Sequence, residues 1–402
     1  MLDRAPRVGG RIGDREIGGL RVETGATLFH SSNRLIVAHA QRLGLETIDL
    51  SARPQTFGIW QGKAFAIRTS GSGLIDRLRL LARYRRSLLR ASRLVREMVS
   101  RFEAVYDLLE AGAVWDSPAA LLAELDLAEL RRERALDAFR PRRLSARFVE
   151  EFADSVSRNN YGQHADTLSA FVDLVSLAGA GLGGGRLLRV RDGNRLVCEG
   201  LISEAQAQLH NNTLVTAIRR RPKGFEVVVA GSPSMEADSV VLAAPLELAG
   251  ITLDGVAVDI PPRKYKTIHA TFVVGRIRTG SFGTGPVPDF VLTTREVGSL
   301  LSLQRLGTTA AGDPIYKAFS LEPLTDAAVE ALLEPSEVAR ITWQAYPELA
   351  PSPRWASFRL ADGLYYPSAM EHAVSTMETQ ALAGAAAANL LAADAGLLPA
   401  RS

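Results

Sequence analysis

The sequence predicts an α/β chain built as two interleaved domains, and three observations predict it. The chain has 402 residues, 47 % of them apolar and 23 % charged; single hydrophobic cores stop growing at roughly 250 to 300 residues, so two are expected. Apolar residues recur at helical steps over 74–180, then alternate at strand period over 214–218, 225–229, 267–274 and 291–303. The chain opens on Leu2-Asp3, followed by Arg7-Val8-Gly9-Gly10-Arg11. This reads as the second strand end of a nucleotide-binding βαβ unit, where an acid holds the ribose about 20 residues beyond a G-x-G-x-x-G turn. No such turn precedes it, so the expectation is a Rossmann-like layer with its first strand and helix missing.

Within that opening, Gly9 and Gly10 let backbone pass close to a phosphate, while Arg7 and Arg11 neutralise negative charge. The same residues also suit an ordinary glycine turn with exposed arginines. A short strand over 17–22 leads to Glu23-Thr24-Gly25-Ala26-Thr27, and a helical stretch starts at 29–33 and runs through Ala38. Farther on, Leu74, Leu78, Leu81, Leu88, Val95, Val99 and Phe102 recur at three- and four-residue steps, giving one or two amphipathic helices over 74–102. Nine arginines from Arg77 to Arg101, opposed only by Asp76 and Glu97, make a basic face. Such a face is either simply solvated or a docking surface for an anionic membrane. Nucleic acid is not an expected partner, because no aromatic interleaving or recognition motif accompanies the charge.

Ser117-Pro118 reads as a helix cap with proline in the first turn. The polar run 158–167 suggests an interhelical loop before a helix over 168–177. Asp192-Gly193-Asn194 is a tight turn into a helix whose free N–H groups suit an anionic or electron-rich group. The segments 214–218 and 225–229 form a hairpin, and 237–245 reads as a buried strand stopped by Pro245.

Composition excludes several classes of protein. The net charge is +3, and Cys198 is the sole cysteine, which rules out an intrachain disulfide and a cysteine zinc site. Six scattered histidines without H-x-x-x-H spacing give no expected metal centre. There is no run of 18 apolar residues to span a bilayer. Any targeting signal would lie upstream of Met1, so the compartment stays open.

R-x-G-G-R, a short strand, E-x-G and a helix together resemble the flavin-dependent amine oxidase superfamily. The likeness narrows with Asn160-Tyr161-Gly162-Gln163, Gly193-Asn194 through Gly200-Leu201, and Val241-Leu242 through Pro245. Tyr316-Lys317-Ala318-Phe319-Ser320, Trp343 through Pro347, and Leu364 through Glu371-His372 follow in order. On these motifs the chain resembles the prenylcysteine oxidase (prenylcysteine lyase) family from Arg7 to about Leu391. It departs in having Ala26 for a usual second glycine, Ala244 for a usual threonine, and no fingerprint to cradle the phosphates. A start placed too far downstream is expected over a working truncated protein, because losing a central strand strips its neighbours of partners.

The resemblance implies an FAD-binding Rossmann-like domain interleaved with an α+β substrate domain. It implies oxidation of the thioether of S-farnesyl- or S-geranylgeranyl-cysteine: hydride leaves the carbon next to sulfur, water adds, and the adduct collapses to cysteine and a prenyl aldehyde. Molecular oxygen takes up the electrons as hydrogen peroxide. A related flavin oxidase or desaturase for another hydrophobic substrate, or an inactive lipid-binding homologue, stays open beside it. On the cofactor side the resemblance assigns Asp3 to the ribose and Arg7, Gly9, Gly10 and Arg11 to the phosphate loop. Glu23, Gly25 and Ala26 form a turn beside the cofactor, Glu371 faces its ribityl or phosphate portion, and Ser375 and Met377 start a helix aimed at it. Glu23 and Glu371 suit helix-capping or surface roles as well. The catalytic candidates are Asn160, Tyr161 and Gln163 at the substrate's polar head. His164 is either a proton carrier or a paired loop histidine, and Cys198 a buried inert thiol. Residues 1–70, 186–250 and 351–402 are assigned to the FAD-binding domain, and 71–185 and 251–350 to the substrate domain, with ligand between them.

Overall fold

The computed structural model describes residues 1–50 and 55–398. Its largest layer is a seven-stranded sheet in the order Leu333–Pro347, Tyr265–Ile277, Pro314–Ser320, Leu300–Thr308, Phe290–Thr293, Phe57–Trp60 and Phe65–Arg68. All neighbours run antiparallel except Phe290–Thr293 beside Phe57–Trp60, which are parallel. Both faces are covered. Ile268, Ala270, Phe272 and Val274 pack with Ile17 and Val22 on one side, while Val273, Tyr316 and Ala318 pack with Trp60 and Phe282 on the other. The first 70 residues thus give their last two strands to the sheet of the 265–347 segment.

The helices follow from the apolar periodicity. Gly73–Tyr84 and Arg86–Glu110 are separate helices, broken at Arg85, which takes the left-handed φ of 49°. Pro118–Glu124 starts as expected, with Ser117 Oγ accepting from the Ala120 N–H. A π-helical turn, Phe148–Ala153, runs into the helix Asp154–Tyr161. The polar run at 158 is therefore helical up to Tyr161, and the loop begins only at Gly162, where the sequence suggested a loop throughout. The reason is that Arg158 is buried and anchored through both terminal nitrogens: its guanidinium donates to the Thr293 carbonyl at 2.6 Å and the Gly298 carbonyl at 2.6 Å. The following helix is Ala170–Gly179, displaced two residues because Ser169 caps it.

Short ladders make up the remaining layer. Leu187–Val190 lies antiparallel to both Phe29–His30 and Thr47–Asp49, so 29–30 is strand and the helix is Arg34–Arg42. Val215–Arg220 and Phe225–Val229 form the expected hairpin, flanked by Met235–Ala237 and Thr252–Asp254. Leu2 bridges His210 in parallel, and Val240–Val241 runs parallel to Leu364–Tyr365. The segment 237–245 is not one buried strand. Asp238-Ser239 divides it between two sheets, and Val241 is 49 % exposed. Glu378, at the start of Met377–Asp394, accepts from the Leu35 and Ile36 N–H groups at 2.9 and 3.0 Å and so caps the helix Arg34–Arg42 from another element.

One buried group has a measurable cost. Asp173 is fully enclosed on the helix Ala170–Gly179; Ser157 Oγ donates to its Oδ1 at 2.6 Å, and Oδ2 has no partner. Burial pushes its pKa up to about 7. A raised acid pKa favours the folded state fully below the unfolded value and loses that advantage as pH rises through the folded one. Asp173→Asn, which needs no proton to be neutral, is expected to raise the melting temperature at pH 8 and leave it nearly unchanged at pH 4. Thermal melts at the two pH values check this, and an equal shift at both would sink it.

Candidate active site

Two turns from the start of the chain meet the edge of the large sheet and the segment that follows the last short strand. In the first turn, Gly9 sits at φ 104°, where a Cβ would stand 2.6 Å from the Ile12 carbonyl oxygen and 2.9 Å from Arg195 Cγ. Only glycine fits that approach. Arg11 then reaches across the chain: one nitrogen donates to the Ala345 carbonyl at 2.9 Å, the other pairs with Glu371. Glu371 is completely buried in the short 3₁₀ turn Pro367–His372. It accepts from the Tyr265 hydroxyl at 2.5 Å and the Ser375 hydroxyl at 3.3 Å, with Arg263 at 3.9 Å. Arg263 is held bidentately by Glu247 at 2.7 and 2.8 Å and donates to the Ser368 carbonyl. Burial and the charge of Glu371 together keep Tyr265 protonated by raising its pKa.

The second turn carries Glu23, 5 % exposed. Its Oε1 accepts from the Asn194 N–H at 2.7 Å, and the Asn194 side chain returns to the Ala26 carbonyl at 2.8 Å. The turn at Gly193 thus pins Glu23 and Ala26 together. Oε2 of Glu23 has no partner. Beside it, Lys317 of the strand Pro314–Ser320 is 3 % exposed, donates to Thr27 Oγ1 at 2.8 Å and to the Glu23 carbonyl at 3.4 Å, and lies 4.6 Å from the Phe319 ring centroid. Burial raises Glu23 to about 7 and lowers Lys317 to about 8, while each charge pulls the other back toward ionisation. An ammonium has three donors and Lys317 uses two here, neither on the Glu23 carboxylate, whose Oε2 lacks a donor.

The two clusters form one site. Phe319 packs edge-on against Trp343 at 6.0 Å, and a Cβ on Gly25 would meet Trp343 at 3.4 Å and the Arg11 carbonyl oxygen at 3.2 Å. Contacts therefore run unbroken from Lys317 through Trp343 and Gly25 to Arg11 and Glu371. The chemistry of these donors fits a flat cofactor with polar edges. Gly9 and Gly25 let the two turns pack against the protein's own backbone and side chains, Gly10 faces open space, Arg11 supplies positive charge, and Glu23 Oε2 with Lys317 Nζ offers an acceptor and a donor not satisfied by each other.

The other sequence candidates fall as follows. Asp3 closes a local turn, its Oδ1 accepting from the Ala5 N–H at 2.9 Å beside the Leu2–His210 bridge. Arg7 is exposed and lies over Gly13. Met377 packs with the Phe29 and Ile36 cluster at the start of its helix, which is capped by Thr376. Tyr161 lies 5.4 Å from Tyr346, the residue after Ala345, and so borders the Arg11 cluster. Asn160 bonds to Ser176 Oγ at 3.0 Å, on the helix Ala170–Gly179. Gln163 is clamped between the Pro347 carbonyl and the Leu349 N–H. His164 pairs at 3.2 Å with Asp154, which Arg295 also holds. Lys317, Arg263 and Tyr265 belong to the site and carried no sequence assignment.

A family model described as prenylcysteine lyase matches residues 67–396. The chain is 32 % identical to the Arabidopsis thaliana farnesylcysteine lyase over 413 residues, covering 97 % of this chain and 81 % of that protein. It is 29 % identical to prenylcysteine oxidase 1 of Pongo abelii, covering 95 % and 81 %. Among solved structures, cyclohexylamine oxidase from Brevibacterium oxydans superposes with a TM-score of 0.63 at 16 % identity, over 98 % of this chain and 93 % of that one. That match shows a common fold. With its motifs in order and its site drawn from both chain ends, the protein belongs to the prenylcysteine lyase family.

Proposed function

We propose that the protein is an FAD-dependent oxidase that cleaves the thioether of S-farnesyl- or S-geranylgeranyl-cysteine, giving cysteine, the prenyl aldehyde and hydrogen peroxide. What carries the reading is the buried pair Glu23 and Lys317, incompletely satisfied where the two glycine turns meet, in a chain of this family. When bound, FAD supplies a two-electron acceptor for the hydride on the carbon next to sulfur, and oxygen then removes those electrons as hydrogen peroxide. The oxidised carbon takes a hydroxyl from water, releasing a proton, and the carbon–sulfur bond breaks as the thiol takes a proton, so atoms and charge balance. The chain's residues bind and orient. Gly9, Gly10 and Arg11 receive the anionic portion, Glu371 and Tyr265 fix Arg11, and Lys317 holds positive charge at the polar edge. Glu23, titrating near neutrality, can hold a proton there. Tyr161 and Tyr346 provide apolar surface for a prenyl chain, with their pKa values raised by burial. We also assign the helices over 74–102 to membrane contact, suited to an amphiphilic substrate.

Anaerobic mixing of the FAD-loaded protein with S-farnesylcysteine is expected to bleach the flavin's visible absorbance and release one thiol per flavin; air should restore the colour with formation of peroxide. Absence of bleaching with both the farnesyl and geranylgeranyl compounds would assign the site to another hydrophobic substrate.

A further inference from the structure

The helix pair that follows the edge strand Phe65–Arg68 carries apolar side chains on its open side. Leu74, Ile75 and Leu78 of Gly73–Tyr84 are 72, 48 and 58 % exposed, and Leu89 in the first turns of Arg86–Glu110 is 60 % exposed. Periodicity alone groups Leu74 and Leu78 with the packing stripe of these helices, but the structure turns them to solvent. The core contacts are made instead by Tyr84, Ala91, Val95 and Met98. Positions 74, 75 and 78 share one helix face, so three large aliphatic groups stand together.

The charge around them is one-sided. Arg77, Arg85, Arg86, Arg93 and Arg96 are exposed and have no hydrogen-bond, ion-pair or ring partner among the described residues. Arg79, Arg83, Arg90 and Arg101, by contrast, are tied to the protein. Of the acids on this stretch, Asp76 is turned inward to accept from Ser70 and Gly71, and only Glu97 shares the open surface. Free arginines around exposed aliphatic residues complement a surface that is anionic outside and apolar beneath. No helix among the described residues is long and apolar enough to cross a membrane, so contact here is peripheral.

We infer that this helix pair docks the protein on an anionic lipid bilayer, with Leu74, Ile75, Leu78 and Leu89 inserted below the headgroups and the free arginines against lipid phosphates and carboxylates. The inference rests on the proposed function for its purpose, since a prenyl thioether partitions into bilayers, but its geometry stands apart from the site.

Cosedimentation of the full-length protein with phosphatidylcholine vesicles containing about 30 % phosphatidylserine tests it. Binding is expected to the anionic vesicles, to weaken with salt, and to be much lower on pure phosphatidylcholine. The variant L74S/I75S/L78S/L89S should bind at least about tenfold more weakly, and R77Q/R93Q about fivefold more weakly per charge removed. Both variants should keep the wild-type melting temperature and the wild-type turnover of farnesylcysteine dissolved below its micelle concentration. Equal binding by wild type and quadruple variant overturns the inference, as does a wild-type dimer that the quadruple variant dissolves without any vesicle binding. If farnesylcysteine is not oxidised while vesicle binding behaves as expected, the substrate assignment fails and the docking surface stands.

Discussion

Replacing Arg263 by methionine is expected to lower the melting temperature at pH 7 by on the order of 10 °C, the largest stability change for any single substitution at the site. The guanidinium is 4 % exposed and holds Glu247 through two nitrogens, with Tyr366 Oη at 2.5 Å, the Ser368 carbonyl at 2.6 Å and Glu371 at 3.9 Å. Taking away one partner of a buried ionic network costs about 3 to 5 kcal/mol, because the opposing charge stays behind in low dielectric. At roughly 2 to 4 °C per kcal/mol for domains of this size, the estimate follows. The sign with pH is fixed as well. Burial alone would raise Glu247, but the hydrogen bonds and charge of Arg263 outweigh it and hold the carboxyl below its ordinary range. A depressed acid pKa gives stability that is present above the unfolded value and lost as pH falls through the folded one. In R263M, Glu247 accepts a proton more readily, so the gap between variant and wild type should narrow from pH 7 to pH 4. A shift below about 2 °C at pH 7 would mean that the network is incidental.

Lys317→Met is expected to leave the fold intact and slow flavin reduction by farnesylcysteine about a hundredfold at pH 7. At an effective dielectric constant of 20, one unit charge acting over about 6 Å is worth roughly 3 kcal/mol, which is about two powers of ten in rate. The wild-type rate should fall as pH rises through about 8, where Lys317 gives up its proton, and the variant should lack that limb. The flavin's midpoint potential, measured without substrate, should move negative in the variant, since the lost cation favoured the reduced form. A rate within threefold of wild type, with an unchanged pH profile and potential, removes Lys317 from the chemistry.

Gly9 was legible as a position of close backbone approach, because such contact restricts residue type locally. Partnerships across the chain were not. Arg11 meets Glu371 across 360 positions, and no local pattern announces such a pair. Lys317 was hidden for a different reason. In Tyr316-Lys317-Ala318-Phe319 a lone lysine reads as the solvent-facing position of a strand, yet all four are less than 9 % exposed because the sheet is covered on both faces. Period two tells which residues share a face, not whether that face meets water. The same limit applies to helices: Leu74 and Leu78 recur at the right step, and only tertiary packing decided that this side stays open. Polarity misled at Arg158 to Tyr161, where carbonyls of a neighbouring strand and turn accept from both terminal nitrogens of a buried guanidinium and let the helix continue.

Glu378 capping the helix at Leu35 and Ile36, like Arg11 reaching Glu371, also governs when the molecule can become itself. Both contacts join the first tenth of the chain to its last tenth, so an emerging polypeptide cannot complete either until nearly all of it has been synthesised. Closing so long a loop costs little at equilibrium, since the entropy grows only with the logarithm of length. The burden falls on time instead. Until the end of the chain arrives, Phe29 and Ile36 wait without the cover that Met377 and Ala381 supply, exposed to aggregation.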